Sequence, residues 1–338
     1  MKTFISSRIS DYWLEELKKH LDVDFYDWSQ EGLLEPKDFL ERAKDSQVII
    51  TESDMISDDT LRAAKDLFVI ADFRGTVINI NIDLATELGI VIMNTPGRNA
   101  DAVADLTIAF MIMAARKVIP AMDALHEGLW AKNGRYWMYT NHQGYDLPGK
   151  VVGLIGLGAI GRLVANRLQG FKARVIGYDP FVSKEEAAQF GVELVSQEEV
   201  FSQSDFVSLH VPLNENTRDM YGKNELELMK PEAYLINTSR AAVFVENELI
   251  EFLQQGKIAG AALDVYHSEP LDTDYPLFNI PNVICTPHIG GATLDVVAHQ
   301  CEIGVTSLLR FLNGENPSNI INPLAIEKSR QKMSQSKA

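Results

Sequence analysis

Residues 151–161 read VVGLIGLGAIG, an apolar run that passes straight into Gly156-x-Gly158-x-x-Gly161, with a helical pattern continuing through Leu168. Each glycine has a physical task. The first permits a tight turn, the second lets backbone approach a pyrophosphate, and the third lets the helix pack closely on the strand. The phosphates then rest at the helix N-terminus, where free N–H groups and the dipole favour negative charge. Glycine-rich turns are common, so context decides. A second strand, Arg174 to Tyr178, ends in Asp179 about twenty residues further on. A carboxylate there accepts hydrogen bonds from ribose hydroxyls and repels a 2′-phosphate, which points to NAD rather than NADP. Read as an ordinary turn residue before Pro180, Asp179 needs no such partner.

The rest of the chain supports a strand–turn–helix setting. Val48 to Thr51, Phe68 to Ala71 and Gly89 to Met93 read as strands, and Asp11 to Leu21 and Asp58 to Ala64 as helices. Such alternation builds a parallel sheet with helices on both faces, an α/β fold. Asp101 to Lys117 reads as a long helix that is apolar on nearly every side, which belongs in a core or against a partner subunit. Residues 128–149 are polar and aromatic and read as an irregular loop, and the Ser-, Gln- and Lys-rich tail after Ile326 is expected to fray. At 338 residues the chain has the length of about two domains.

Charge and cysteine content exclude several functions. Thirty-one basic against forty-seven acidic side chains leave a formal net charge of −16, a poor match for nucleic acid or an anionic membrane. An anionic substrate would therefore need local cations in its binding site. Two cysteines, Cys285 and Cys301, make neither a disulfide framework nor a metal cluster, so no metal is expected. The N-terminus lacks an apolar signal core, and the longest apolar run, Leu106 to Ala115, falls short of the ~20 residues that cross a bilayer. A cytoplasmic protein is expected.

Three further segments each follow an apparent strand. Leu235 to Asn237 leads to Thr238-Ser239-Arg240, Ala261 to Val265 leads to Glu269-Pro270, and Val283 to Cys285 leads to Thr286-Pro287-His288. Ligands of doubly wound sheets bind beyond the carboxyl ends of strands, so an Arg, a Glu and a His are delivered to one region. Singly, each is more often a loop hydrogen-bonder or a surface charge. Together they suit hydride chemistry at a C–OH carbon. A histidine removes or returns the hydroxyl proton. A glutamate bonded to it fixes its tautomer and steadies its charged form. An arginine fork binds a carboxylate and polarises a 2-oxo oxygen.

At these residues the chain resembles the D-isomer-specific 2-hydroxyacid dehydrogenase family, which includes D-3-phosphoglycerate, D-lactate, glyoxylate/hydroxypyruvate and formate dehydrogenases. The matching blocks are Gly149 to Gly161, Ser208 to Thr217, Asn237 to Arg240, Ala262 to Pro270 and Thr286 to Thr293, within a likeness running from about Val48 to Asn322. The resemblance implies two doubly wound, Rossmann-like domains with a cleft between them. A substrate domain would comprise residues 1–100 and 294–338, and an NAD-binding domain residues 101–293. It implies a homodimer through the helix 101–117. It makes Arg240 the substrate-binding cation, Glu269 the support of the base and His288 the acid–base group. Ala159, Ile160, Asp179, Thr217, Thr238, Ser239, Asp264 and Gly290 join the three motif glycines as cofactor contacts, and Arg74, Gly75, Thr76 and Val77 bind substrate. The expected substrate is a small anionic 2-hydroxy or 2-keto acid.

Two departures stand out. Ala241 occupies a position where the family commonly has Gly, and the segment Phe73 to Asn79 differs from the Gly-rich run of phosphoglycerate dehydrogenases. Arg74, Arg98 and Arg135 lie in loops. If two of them reach the far end of the substrate, that substrate carries a second anionic or strongly polar group; otherwise Arg98 and Arg135 are solvated or pair with neighbouring acids. Two other functions compete. Formate dehydrogenases of the family typically carry Gln where Glu269 stands. NAD-sensing corepressors can keep the Arg–Glu–His set, but no extended interaction tail is present here.

Overall fold

The structure, a computed structural model, describes residues 1–335. The chain divides into two compact units, one made of Met1–Asn99 with the C-terminal segment from Thr293, the other of Ala100–Ala292.

The first unit is built on five parallel strands: β1 (Lys2–Ser6), β2 (Asp22–Tyr26), β3 (Val48–Thr51), β4 (Val69–Asp72) and β5 (Val91–Met93). Their order is β2-β1-β3-β4-β5. β3, β4 and β5 are buried along their whole length, as continuous apolar strands with both faces covered must be. One face packs Leu17 of the helix Asp11–Lys18 and Val305, Leu308 and Phe311 of the helix Leu294–Leu312 against Ile5, Ile50 and Val69. The other packs Phe39 and Leu84 against Ile49 and Ile70. β1 and β2 were not anticipated. β2 reads DVDFY with an alternating exposed pattern, so no apolar run announces it, and pairing with β1 makes it a strand.

The second unit holds seven parallel strands: β6 (Val151–Ile155), β7 (Arg174–Tyr178), β8 (Val192–Leu194), β9 (Phe206–Leu209), β10 (Tyr234–Asn237), β11 (Gly260–Leu263) and β12 (Val283–Cys285). Their order is β12-β11-β10-β9-β6-β7-β8. The direction of winding reverses between β6 and β9, the switch point at which dinucleotides bind in such sheets. One face carries the helices Ala100–Ala115 and Ala159–Gly170, and the other the helices Gln197–Gln203 and Glu246–Gln254. The long apolar helix Ala100–Ala115 buries Ala104, Ile108, Phe110, Met111 and Ala114 in the core of its own unit. Its apolar residues Leu106, Ile112 and Met113 are only partly buried against that core.

Two expectations need correction. Residues 128–149 are not an irregular loop throughout, because the helices Leu129–Asn133 and Arg135–Asn141 form there, divided at Gly134 with φ +85°. A glycine between two short helical runs is the stop signal that the polar composition masked. The tail after Ile326 does not fray within the described residues. It forms the helix Ile326–Gln335, which buries Ser329 and donates from Ser329 Oγ to the Phe68 carbonyl at 2.6 Å and from Lys332 Nζ to that of Leu67 at 3.0 Å. Among the described residues no helix is long and apolar enough to cross a membrane, and no cluster of three or more His, Cys, Asp or Glu could hold a metal.

Candidate active site

The glycine turn at the switch point is shaped by close approach. Gly156 has φ +94°, and a Cβ there would stand 2.8 Å from the His210 carbonyl oxygen. A Cβ on Gly161 would collide with the carbonyl oxygen of Gly156. Nothing lies within 4 Å of where a Gly158 side chain would begin. Gly158 opens the twelve-residue helix Ala159–Gly170, whose first N–H groups have no partner within the helix. Backbone N–H groups at an open helix start fit the pyrophosphate of a dinucleotide. Asp179 directly follows β7 and holds this turn, with Oδ2 accepting from Leu157 N at 2.8 Å and Oδ1 from Phe181 N at 2.9 Å. Each oxygen keeps a lone pair for a ligand hydroxyl.

The loops after β9 and β10 are self-braced. Thr217 donates from Oγ1 to the Pro212 carbonyl at 2.6 Å. Thr238 shares a 3.0 Å hydroxyl contact with Thr107. Asn237, which sequence reading passed over as the end of a strand, organises the turn to Arg240. Its Oδ1 accepts from Ser239 N at 3.0 Å and Ser239 Oγ at 2.8 Å, and its Nδ2 donates to the Arg240 carbonyl at 3.0 Å. An Asn just before Thr-Ser was the available signal, since short polar side chains of this kind build turns. Arg240 is exposed, and Nη1 donates to the Ser239 carbonyl at 2.6 Å. Among the described residues its guanidinium has no ion-pair partner, so its charge is open to an anion. Ala241 lies outside the residues with positive φ and opens the short 3-10 turn Ala241–Val243, so its methyl group brings no backbone strain.

Beyond β11 and β12 stand the glutamate and the histidine. His288 Nδ1 lies 2.7 Å from Glu269 Oε2. An ionised carboxylate only accepts, so Nδ1 carries the hydrogen and Nε2 is left for other work. Glu269 Oε1 accepts from Tyr266 N at 2.9 Å, so the carboxylate is anchored on both oxygens. The pair borders a cavity of about 360 Å³, and their side chains are 47% and 36% exposed. His288 has φ +54°, a left-handed conformation that costs a non-glycine residue roughly 1–2 kcal/mol. Asp264, 1% exposed, accepts on Oδ1 from Thr286 Oγ1 at 2.6 Å and Ile289 N at 2.8 Å, and on Oδ2 from Gly290 N at 2.7 Å.

In the first unit, residues 74–77 follow β4. Gly75 and Thr76 are exposed, and Arg74 Nη1 donates to the Glu52 carbonyl at 3.2 Å. Arg98 takes the second of the two alternatives, pairing with an acid. It is engaged by Glu52 Oε1 at 3.1 Å and by Gln300 Oε1. Glu52 is 1% exposed and also pairs with Arg8. Burial pushes its carboxyl up, but the bond to Arg8 and the charges of Arg8 and Arg98 outweigh that and hold it below the usual range. A buried glutamate after β3 consumes Arg98, and only its position after an apolar strand hinted at it. Arg135 lies on the helix Arg135–Asn141 with its guanidinium 5.8 Å from the Tyr136 ring. Arg74 and Arg135 are thus without a carboxylate partner among the described residues.

A seven-stranded sheet wound in this order, with a glycine turn at its switch point and an Arg, a Glu and a His beyond its strand ends, defines a dinucleotide-dependent oxidoreductase. The profile described as the NAD binding domain of D-isomer specific 2-hydroxyacid dehydrogenase matches residues 108–290. A glyoxylate reductase from Thermococcus litoralis is 37% identical over 322 residues, 95% of this chain and 96% of that one. A D-3-phosphoglycerate dehydrogenase from Methanocaldococcus jannaschii is 38% identical over 291 residues, 86% of this chain but 54% of that one. The crystal structure of the TT0316 protein from Thermus thermophilus superposes with a TM-score of 0.83 at 33% identity, covering 95% of this chain and all of that one. The chain belongs to the D-isomer-specific 2-hydroxyacid dehydrogenase family, and it is an NAD-dependent dehydrogenase of that family.

Proposed function

We propose that the chain interconverts a small, singly anionic 2-oxo acid of the glyoxylate or hydroxypyruvate kind and the matching 2-hydroxy acid, of D configuration where C2 is chiral. The observation that carries this reading is the His288–Glu269 pair with Nδ1 engaged and Nε2 free, on the strand-end side of an NAD-binding sheet. Bound NAD(H) takes or supplies the hydride. In the direction of reduction His288 Nε2 gives a proton to the oxygen that becomes the hydroxyl, and in oxidation it accepts that proton. Glu269 keeps the imidazole in the tautomer that leaves Nε2 available. Arg240 binds the substrate carboxylate and polarises the 2-oxo oxygen. Residues 74–77 of the first unit, the substrate domain in this reading, are a substrate-binding segment, with Arg74 as a cation and Gly75, Thr76 and Val77 as backbone N–H donors. Gly156, Gly158, Ala159, Ile160 and Gly161 hold the pyrophosphate, Asp179 the ribose, and Thr217, Thr238, Ser239 and Gly290 line the remaining cofactor path.

With Arg98 engaged by Glu52 and Arg74 assigned to the carboxylate, Arg135 alone of these three arginines is left for a second anionic group, which favours a small substrate over a phosphorylated one. The near-complete mutual coverage with a glyoxylate reductase points the same way. His288→Asn tests the core of the reading. It is expected to lower kcat by about a hundredfold or more, with NADH binding, followed by fluorescence titration, unchanged. Turnover close to wild type would remove His288 from the chemistry.

A further inference from the structure

We propose that Thr286 and Tyr266 are positioning residues for His288, fixing the strand-to-loop turn that presents its imidazole to Glu269. The proposal rests on the reading of His288 as the acid–base group. The turn begins where β12 ends. Thr286 N donates to the Leu263 carbonyl at 3.0 Å, which carries the chain alongside β11 for one more residue. His288 N then donates back to the Thr286 carbonyl at 2.9 Å, a three-residue turn around Pro287 whose ring presets the needed φ. His288 itself is left-handed, at φ +54°. A backbone bent twice in three residues, the second time against preference, holds only if its neighbours leave it no alternative.

Two side chains supply that constraint. The Thr286 hydroxyl donates to Asp264 Oδ1 at 2.6 Å, and the same carboxylate accepts the N–H groups of Ile289 at 2.8 Å and Gly290 at 2.7 Å. Residues before and after His288 are thereby tied to one buried carboxyl group. Gly290 is needed for the approach, since a Cβ there would stand 2.9 Å from Asp264 Oδ2 and 3.3 Å from Val103 Cγ2. Tyr266 closes the arrangement. Its hydroxyl reaches the carbonyls of Leu263 at 3.0 Å and Thr286 at 3.1 Å, while its backbone N–H donates to Glu269 Oε1. One residue therefore braces both the carboxylate and the turn that carries its histidine. None of these bonds reaches a reacting atom, so Thr286 and Tyr266 act through His288.

Thr286→Val keeps the side-chain shape and deletes the one O–H. With NADH and glyoxylate, kcat is expected to fall about tenfold to a hundredfold while KM for NADH stays within about twofold, the signature of a displaced reacting group rather than lost cofactor binding. The solvent deuterium isotope effect on kcat is expected to rise, because proton transfer from a misplaced imidazole becomes slow, and Thr286→Ser is expected to restore both values. Should Thr286→Val not fold, Tyr266→Phe, which removes the hydroxyl bonded to the Thr286 carbonyl, is read in the same way. Wild-type kcat and isotope effect in the folded variant, whatever its melting temperature, would overturn the proposal, as would a loss that Ser does not restore. His288→Asn is measured alongside. If it abolishes turnover while Thr286→Val is unaffected, the positioning role alone falls. If it turns over like wild type, the reading of His288 falls and the proposal with it.

Discussion

Asp72 lies at the carboxyl end of β4, fully buried, with no hydrogen-bond partner for either carboxylate oxygen. Burial pushes its carboxyl from 3.8 up to about 8, against the opposing charges of Arg74 and Arg98 and a contact with Asn79, and Glu52 adds to the upward push. Between those two values the folded chain holds a proton that the unfolded chain has released, so this residue's contribution to stability falls as pH rises through the window and levels off above it. Asp72→Asn removes the titration. The stability of this variant relative to wild type, measured by denaturant unfolding, is therefore expected to increase from about pH 5 to about pH 8. A difference that stays constant with pH would mean that Asp72 is ionised in the folded chain. Nothing in the string Val-Ile-Ala-Asp distinguishes a buried neutral acid from a polar strand end, because the distinction depends on which side chains cover it. Glu52 illustrates the same limit. It is charged and buried because Arg8, Arg98 and Gln300 are brought to it from positions far apart in sequence.

Between strands, the loops at the carboxyl ends carry nearly every candidate functional side chain, and these were the most legible parts of the sequence. The glycine turn is written locally, in residues that must be glycine because of φ +94° at Gly156 and of close backbone contacts at Gly156 and Gly161. Arg240, Glu269 and His288 could be placed because each follows an apolar strand by a few residues. The partners that hold them were not legible, since Tyr266, Thr286 and Asn237 look like ordinary strand-end residues until their hydrogen bonds are drawn. Helices were legible where apolar spacing was regular and missed where aromatic and polar residues mixed, as in Arg135–Asn141. That region bears on assembly. Met122, Leu125, Trp130, Tyr136, Tyr139 and Tyr145 are all exposed, Tyr136 and Tyr139 by 74% and 77%. A run of exposed aromatic side chains of this kind marks an interaction surface. We propose that it belongs to a homodimer interface, continuous with the helix Ala100–Ala115. Sedimentation equilibrium is expected to give twice the chain mass for wild type and a shift toward the single chain for Tyr136→Glu combined with Tyr139→Glu. Wild type sedimenting as one chain would contradict the assignment.

Taken as a molecule, the chain combines a formal charge of −16 with a proposed anionic substrate, which leaves recognition to a few unneutralised arginines. Arg240, Arg74 and Arg135 are such cations, whereas Arg98, paired with Glu52, is not, and this difference bears on the expected size and charge of the substrate. The carboxylate of Asp179, proposed above to hold the ribose, sets the expected cofactor. The most direct test is a steady-state comparison of kcat/KM for glyoxylate, hydroxypyruvate, pyruvate and 3-phosphohydroxypyruvate, each with NADH and with NADPH. The expected result is turnover with NADH, preferred over NADPH, and highest kcat/KM for glyoxylate or hydroxypyruvate, with the phosphorylated acid at least about tenfold poorer for want of a charge-assisted contact. Reduction of 3-phosphohydroxypyruvate in preference to both small acids, or no oxidation of NADH with any of the four, would contradict the account.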